Sequence, residues 1–399
     1  NNSVFLDPDD QALTRLSLSV SQPLLRGGGF EYNRATIRIA KLDHQAALDE
    51  FQRQAETHLL DVARAYWALY RTRGELLIKT RLVEETGRLT EEIRGRRDVD
   101  ATESQILRAE AALAARRAET VRAGLAVRNA EATLVSLVNA PVLRITEGTE
   151  LVPTHAAVLR PRNMDVREAA QHALRNRPEV KQAMKEIKAG LLRLQMSEND
   201  LLPELDLVVG VTWRGLEGDY KLDRALSNQF SEGSPSLEGG LRLNMPLGNN
   251  EAKARYQRRR IEMRQLTNQL RTTLDTLLLE VQVAVREVNI SYREVVAKQQ
   301  SVRASEADLA AKRDRMALAG DSGAAGSVRL DELLDAQLRL ALANVELLGS
   351  VVNYNVALAN LDRAMGVLLQ ARQIQYQRQE DENQLPSLKL QTARSNAAP

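Results

Sequence analysis

Three carboxylates crowd one short stretch, LDELLDA, as Asp331, Glu332 and Asp335. Acids at a helix N-terminus complement the macrodipole. The same acids, repeated by the symmetry of an oligomer, would form a ring that favours cations and resists closure by mutual repulsion. Only the first reading stands on the residues alone. Other groups carry less. His44, His58, His155 and His172 are dispersed without ligand spacing, which favours surface or belt roles over metal binding. Arg26, Gly27, Gly28 and Gly29 lack the following Lys-Ser/Thr of a phosphate loop and read better as a strand-to-helix joint. Arg258, Arg259 and Arg260 point in different directions on a helix, so a solvated face is preferred to an anion site. Cysteine is absent, which excludes disulfides, zinc-thiolate sites and thiol nucleophiles. With 55 Lys+Arg against 53 Asp+Glu, a generally basic nucleic-acid binder is excluded too. No converging polar constellation indicates an enzyme, and neither a cofactor nor a metal is expected.

The elements that must position these residues are mostly helical. Aromatics are only 4%, and 21 Gly and 11 Pro in 399 residues leave room for long uninterrupted helices. Apolar residues recur every seven positions at Leu274, Val281, Val288, Val295, Val302, Leu309 and Met316, a coiled-coil stripe. A second run, Leu333, Leu340, Leu347, Tyr354, Leu361 and Leu368, is flanked by Ala336, Ala343, Ser350, Ala357 and Ala364. Between them AGDSGAAGS, 319–327, breaks the helix and folds it back as a hairpin. The first half repeats this with Val62, Leu69, Leu76 and Val83, a turn near 94–100 (RGRRDVD), then Ile106, Leu113, Val127 and Leu134. Long arms over 31–94 and 251–318 would each reach roughly 100 Å. Returning arms over 101–139 and 328–366 are shorter, and a helix over 166–200 continues beside them.

Three segments alternate instead: Leu16, Leu18, Val20; Leu205, Leu207, Val209, Val211, Trp213; and Leu237, Leu241, Leu243, Met245. Each is a strand with one apolar and one polar face. Strands over 204–214 and 236–245 have the length a tilted strand needs to cross a bilayer. No window approaches the roughly 18 apolar residues of a spanning helix, so any crossing uses strands.

The joints SQPLLRGGGFEYNRA and NMPLGNNEAKAR match, and ATESQILRAEAAL parallels RLDELLDAQLRLA, aligning Ala109 with Ala336 and Glu110 with Gln337. The chain reads as a tandem duplication of about 200 residues. Through NRPEVKQAMKEIKAGLLRLQMSENDLLPELDLVVG, SLEGGLRLNMPLG, SQPLLRGGG and LDELLDAQLRLALANVE it resembles the TolC-like family of outer-membrane efflux and secretion channels, across most of 13–369. The implied fold class is mainly α with membrane β-strands: duplicated coiled-coil hairpins plus strands given to a shared barrel in a TolC-like trimer. The expected organisation is a partial first repeat over 1–139, a belt over 140–165, a second repeat over 166–366, and a belt counterpart with a polar tail over 367–399. Against the second repeat, the first helix and first strand of the mature protein are expected to be lacking, with 1–12 in a surface loop.

The resemblance implies a passive exit duct of a tripartite efflux pump or type I secretion system, in the outer membrane and reaching through the periplasm of a Gram-negative bacterium. The alternative is a soluble periplasmic coiled-coil adaptor or scaffold. Implied partners are two further copies in a homotrimer, a periplasmic adaptor (membrane fusion) protein, an inner-membrane transporter of RND, ABC or MFS type, and outer-membrane lipid; nucleic acid is not among them. Glu332 and Asp335, with Asp331 as neighbour, match the family's acidic periplasmic constriction. Gln105 stands where relatives often carry an acid, which puts an interhelix salt bridge there in doubt. Gly95, Arg96, Arg97, Gly326, Ser327 and Val328 are the expected adaptor-docking tips, and Phe30 and Trp213 the expected lipid-boundary contacts. Tyr66, Trp67 and Tyr70 are expected to serve packing.

Overall fold

A computed structural model describes residues 11–98, 101–139, 150–218, 221–232, 234–318, 324–376 and 388–390. The chain divides into two compact units, Asn1–Asp49 with Glu179–Thr272, and Glu50–Pro178 with Thr273–Pro399. Its order is β1 (Gln11–Pro23), α1 (Phe30–Gly95), α2 (Glu103–Val138), α3 (Val166–Asn176), α4 (Pro178–Asn199), β2 (Glu204–Gly218), α5 (Leu222–Ser231), β3 (Ser236–Asn244), α6 (Asn250–Leu318), α7 (Ala324–Ala364), α8 (Leu368–Ala371), β4 (Ile374–Tyr376) and β5 (Leu388–Leu390).

The first unit is built on an antiparallel sheet of order β1-β2-β3. Its register sets Leu16 against Trp213, Leu18 against Val211 and Val20 against Val209, while Leu237 meets Val211 and Leu241 meets Leu207. Every apolar residue of the alternation therefore falls on one face, as a period of two demands. That face is open: Leu18 is 62% and Leu237 79% exposed. Burying it against something apolar would supply roughly 25 cal/mol per Å². Strands β1 and β2 outrun expectation at the end far from α1 and α6. Gln11 and Ala12 pair with Gly218 and Glu217, so they belong to β1 rather than to a loop; residues 1–10 lie outside the described residues.

Two of the joints between this sheet and the helices turn on left-handed residues. Gly27 (φ 75°) and Gly29 (φ 87°) lead into α1; Gly248 (φ 80°) and Asn249 (φ 43°) lead into α6. Glycine reaches this region without steric cost, and Asn tolerates it. The Gly27 N–H donates to Asn199 Oδ1 at 2.7 Å, and Asn249 Nδ2 donates to the Leu201 carbonyl at 3.1 Å. The RGGG stretch is thus a joint whose amide is already satisfied from within the protein. Nearby, Gly190 of α4 admits Leu266 of α6, whose Cδ1 would lie 2.7 Å from an added Cβ.

The second unit packs helical hairpins. The α6 heptad forms its buried seam: Val281, Val288, Val295, Val302 and Leu309 are all at most 7% exposed. On α7, Leu333, Tyr354, Leu361, Ala336, Ala343 and Ala357 are buried. On α1 the expected stripe is displaced. Of Val62, Leu69, Leu76 and Val83 only Leu69 is buried, while Leu60, Trp67, Leu82, Leu89 and Ile93 carry the core. Trp67 packs edge-on against Tyr66 and Tyr70, with centroids 5.4 and 5.3 Å away.

Residues 166–200 are two helices rather than one. Arg177, extended at ψ 126° ahead of Pro178, separates α3 from α4, because proline disfavours the helical region for the residue before it. Helix α7 begins at Ala324, inside the stretch expected to interrupt the helix; residues 319–323 lie outside the described residues. It ends at Ala364, and at Gly366 (φ 69°) just beyond, an added Cβ would come within 2.9 Å of the Arg177 amide. After it, the expected irregular counterpart contains the short helix α8 and the antiparallel pair β4–β5.

Of the belt, 150–165 is described, and side chains of the hairpins hold its backbone. Tyr354 Oη donates to the Arg160 carbonyl at 2.6 Å, and the His155 amide donates to Tyr66 Oη at 3.0 Å. Arg162 pairs with Asp362 at 2.7 Å. Glu131, nearly buried, accepts from Arg73 at 2.6 Å and from the Leu151 amide at 3.0 Å.

Candidate functional site

At the hairpin ends of the second unit, α1, α2, α6 and α7 share one apolar core of Leu89, Ile93, Ile106, Ala109, Leu309, Leu330, Leu333, Leu334 and Ala336. Ala109 and Ala336 are 0% and 1% exposed, so the backbones approach closely there. On the surface around that core stand the acids of LDELLDA, and the structure separates them. Asp331 forms an ion pair with Arg108 of α2. Glu332 and Asp335 are exposed. Asp331 and Asp335 line a cleft of about 540 Å³ with Arg108, Arg116 and Glu119.

The macrodipole reading of these acids loses its basis. Helix α7 starts at Ala324 and has no acid in its first turn. The dipole's influence fades within one turn, and Asp331 is already seven residues in.

Beneath the acids lies a group that sequence reading passed over. Arg116 is 7% exposed. Its guanidinium donates to Thr86 Oγ1 of α1, to Gln337 Oε1 of α7 at 2.9 Å and to the Leu334 carbonyl at 2.7 Å. Burial holds its pKa below the usual arginine value, opposed by the charges of Glu119, Asp335 and Glu85. The signal was present: Ala109, Arg116 and Ala123 lie seven apart and are all buried, so the heptad puts an arginine on the seam. Gln105 is also buried. Its side chain accepts from the Thr102 amide at 2.7 Å while its own amide donates to Thr102 Oγ1 at 3.4 Å, a capping box in place of a salt bridge.

The expected docking tips are partly helical. Gly95 ends α1, and Arg96 and Arg97 form the following turn. Gly326, Ser327 and Val328 lie within the first turns of α7, with Val328 58% exposed. At the sheet, Phe30 is 79% exposed beneath the Arg34 guanidinium, 5.4 Å from its ring. Trp213 is only partly exposed, because Phe230 of α5 packs against it at 6.5 Å. The arginine run splits as a solvated face would: Arg258 and Arg259 share Glu262, at 3.0 and 2.6 Å. All four histidines are exposed. Among the described residues no three acids or histidines are grouped to hold a metal, and no helix is long and apolar enough to cross a membrane.

Long packed hairpins, joined through left-handed turns to a sheet with an open apolar face, define a TolC-like outer-membrane channel fold. The chain belongs to the outer membrane efflux protein family, whose pattern it matches over residues 169–367. Solved structures agree in fold. A membrane protein from Pseudomonas aeruginosa superposes with a TM-score of 0.67 at 16% identity, covering 89% of this chain and 83% of that one. The CmeC outer membrane channel of Campylobacter jejuni gives 0.65 at 14%, covering 89% and 78%. The open state of the MtrE outer membrane channel of Neisseria gonorrhoeae gives 0.63 at 17%, covering 90% and 81%. No curated protein sequence matches the chain.

Proposed function

We propose that the protein is the outer-membrane exit duct of a tripartite efflux or type I secretion assembly, a passive conduit for solute or polypeptide across the periplasm and outer membrane. The observation that carries this reading is the sheet. Its apolar face is exposed along all three strands, and β1 and β3 each leave one edge unpaired among the described residues. In lipid each unpaired backbone group costs several kcal/mol, and only a closed barrel removes them. Further copies must therefore complete it. Three copies agree with the family; a periplasmic adaptor engaging the tips at Gly95–Arg97 and Gly326–Val328, and an RND, ABC or MFS transporter supplying the energy, complete the proposal. Glu332 and Asp335 line the periplasmic constriction in this reading, with Arg108 drawing Asp331 aside.

Membrane fractionation with cross-linking tests it. The expected result is extraction by detergent but not by aqueous salt, a trimer on cross-linking, and conductance in planar bilayers. A salt-extracted monomer without conductance would overturn the duct and favour a soluble scaffold.

A further inference from the structure

The connection between β2 and β3 contains a ten-residue helix, α5. That helix is amphipathic. Asp223, Arg224, Ser227, Asn228 and Ser231 occupy one arc, and Leu222, Ala225, Leu226, Gln229 and Phe230 the other. Half of the apolar arc is used: Ala225 and Gln229 are 0% and 1% exposed against the sheet. The other half is open. Leu222, Leu226 and Phe230, spaced i, i+4 and i+8, are 66%, 55% and 62% exposed.

The helix is held in this orientation. Thr14 Oγ1 donates to the Ala225 carbonyl at 2.9 Å, and Asn228 Nδ2 donates to Glu217 at 2.5 Å. Gly215 makes the approach possible, since an added Cβ would lie 2.0 Å from the Ala225 oxygen. Thr14 has the same parity on β1 as Leu16, Leu18 and Val20, so α5 sits on the apolar face of the sheet. It sits at the end where β1 begins and β2 ends, away from the joints that lead into α1 and α6. Phe230 against Trp213 makes the stripe continuous with that face.

A neighbouring copy in a shared barrel joins through strand edges, in the plane of the sheet, and leaves its face to whatever surrounds the barrel. We infer that α5 is an interfacial lipid anchor: Leu222, Leu226 and Phe230 enter the acyl-chain boundary of the outer leaflet while Arg224, Ser227 and Ser231 meet headgroups and water. The inference rests on the barrel reading above and adds to it a second, helical contact with lipid.

Because the chain has no cysteine, single nitroxide labels test it directly. Leu226→Cys, Ser227→Cys and Leu18→Cys variants of the full chain are labelled and reconstituted into phosphatidylcholine–phosphatidylglycerol vesicles. Collision rates with oxygen and with a water-soluble nickel chelate are then compared. The expected oxygen-to-nickel ratio at 226 is several-fold above that at 227 and below that at 18. A ratio at 226 equal to that at 227, or protection at 226 from both reagents as under a protein partner, overturns the anchor while a high ratio at 18 preserves the barrel. A low ratio at 18 overturns both.

Discussion

Asn355, in the middle of α7, grips Val158 by both of its backbone groups: the Val158 amide donates to Asn355 Oδ1 at 2.9 Å, and Asn355 Nδ2 donates to the Val158 carbonyl at 3.2 Å. One helical side chain thereby does what a neighbouring strand would do for the belt. Asn355 is 3% exposed, whereas Val158 is 42% exposed, so the pair holds a surface segment to a buried side chain. Asn355→Ala removes two hydrogen bonds, each worth about 0.5–1.5 kcal/mol net, and should cost about 1–3 kcal/mol. Thermal unfolding in detergent measures this, and proteolysis should find the new cleavage within 150–165. An unchanged melting temperature would show that Tyr66, Glu131, Tyr354 and Asp362 hold the belt without it.

Gly215→Val should lift α5 off the sheet, because its Cβ would overlap the Ala225 carbonyl oxygen. The expected outcome is faster trypsin cleavage after Arg224 with the melting temperature of the helical hairpins unaltered. Gly239, which has nothing within 4 Å of an added Cβ, is the control position.

Arg116→Ala should destabilise the hairpin end by about 3 kcal/mol, since Gln337 and the Leu334 carbonyl lose a buried donor. Arg116→Leu combined with Gln337→Leu removes the polar group on both sides and should recover part of the loss. A double-mutant cycle on chemical unfolding isolates the coupling. Additive effects would mean that the two residues act independently.

Glu50 answers to pH. Hydrogen bonds from Arg53 and Gln54 lower its carboxyl pKa from 4.5 to about 2. A depressed folded-state value means the stabilisation is complete above the unfolded pKa, near 4.5, and is lost as pH falls through 2. Its side chain is 33% exposed, which keeps the effect small. Glu50→Gln should flatten the acid limb of the melting curve between these values. An identical acid limb in the variant would place the acid sensitivity elsewhere.

Asp335→Lys should lower the cation preference of the channel, read as a shift of reversal potential across a salt gradient in planar bilayers. Arg108→Gln frees Asp331 from its ion pair and should raise that preference. Unchanged selectivity in both variants removes the constriction from this end of the hairpins.

Reading the residues in order was enough for the long helices and the three strands of the main sheet, since each follows from a repeat of seven or two. Val281 to Leu309 became the α6 seam, and Leu16 to Val20 the apolar edge of the sheet. The RGGG and PLGNN joints were likewise visible, because left-handed turns select glycine and asparagine. Helix α5 was not: ten residues between strands offer too short a period. Nor was the displacement of the α1 core onto Leu82 and Leu89, which neighbouring helices choose. Arg116 lay on its heptad, but only the folding of α1 and α7 around it showed that Thr86, Gln337 and Leu334 receive its protons. Asn355 and Val158 stand 197 positions apart. Local spacing cannot register such partners; they are selected when buried polar groups, cut off from water, find each other across the fold.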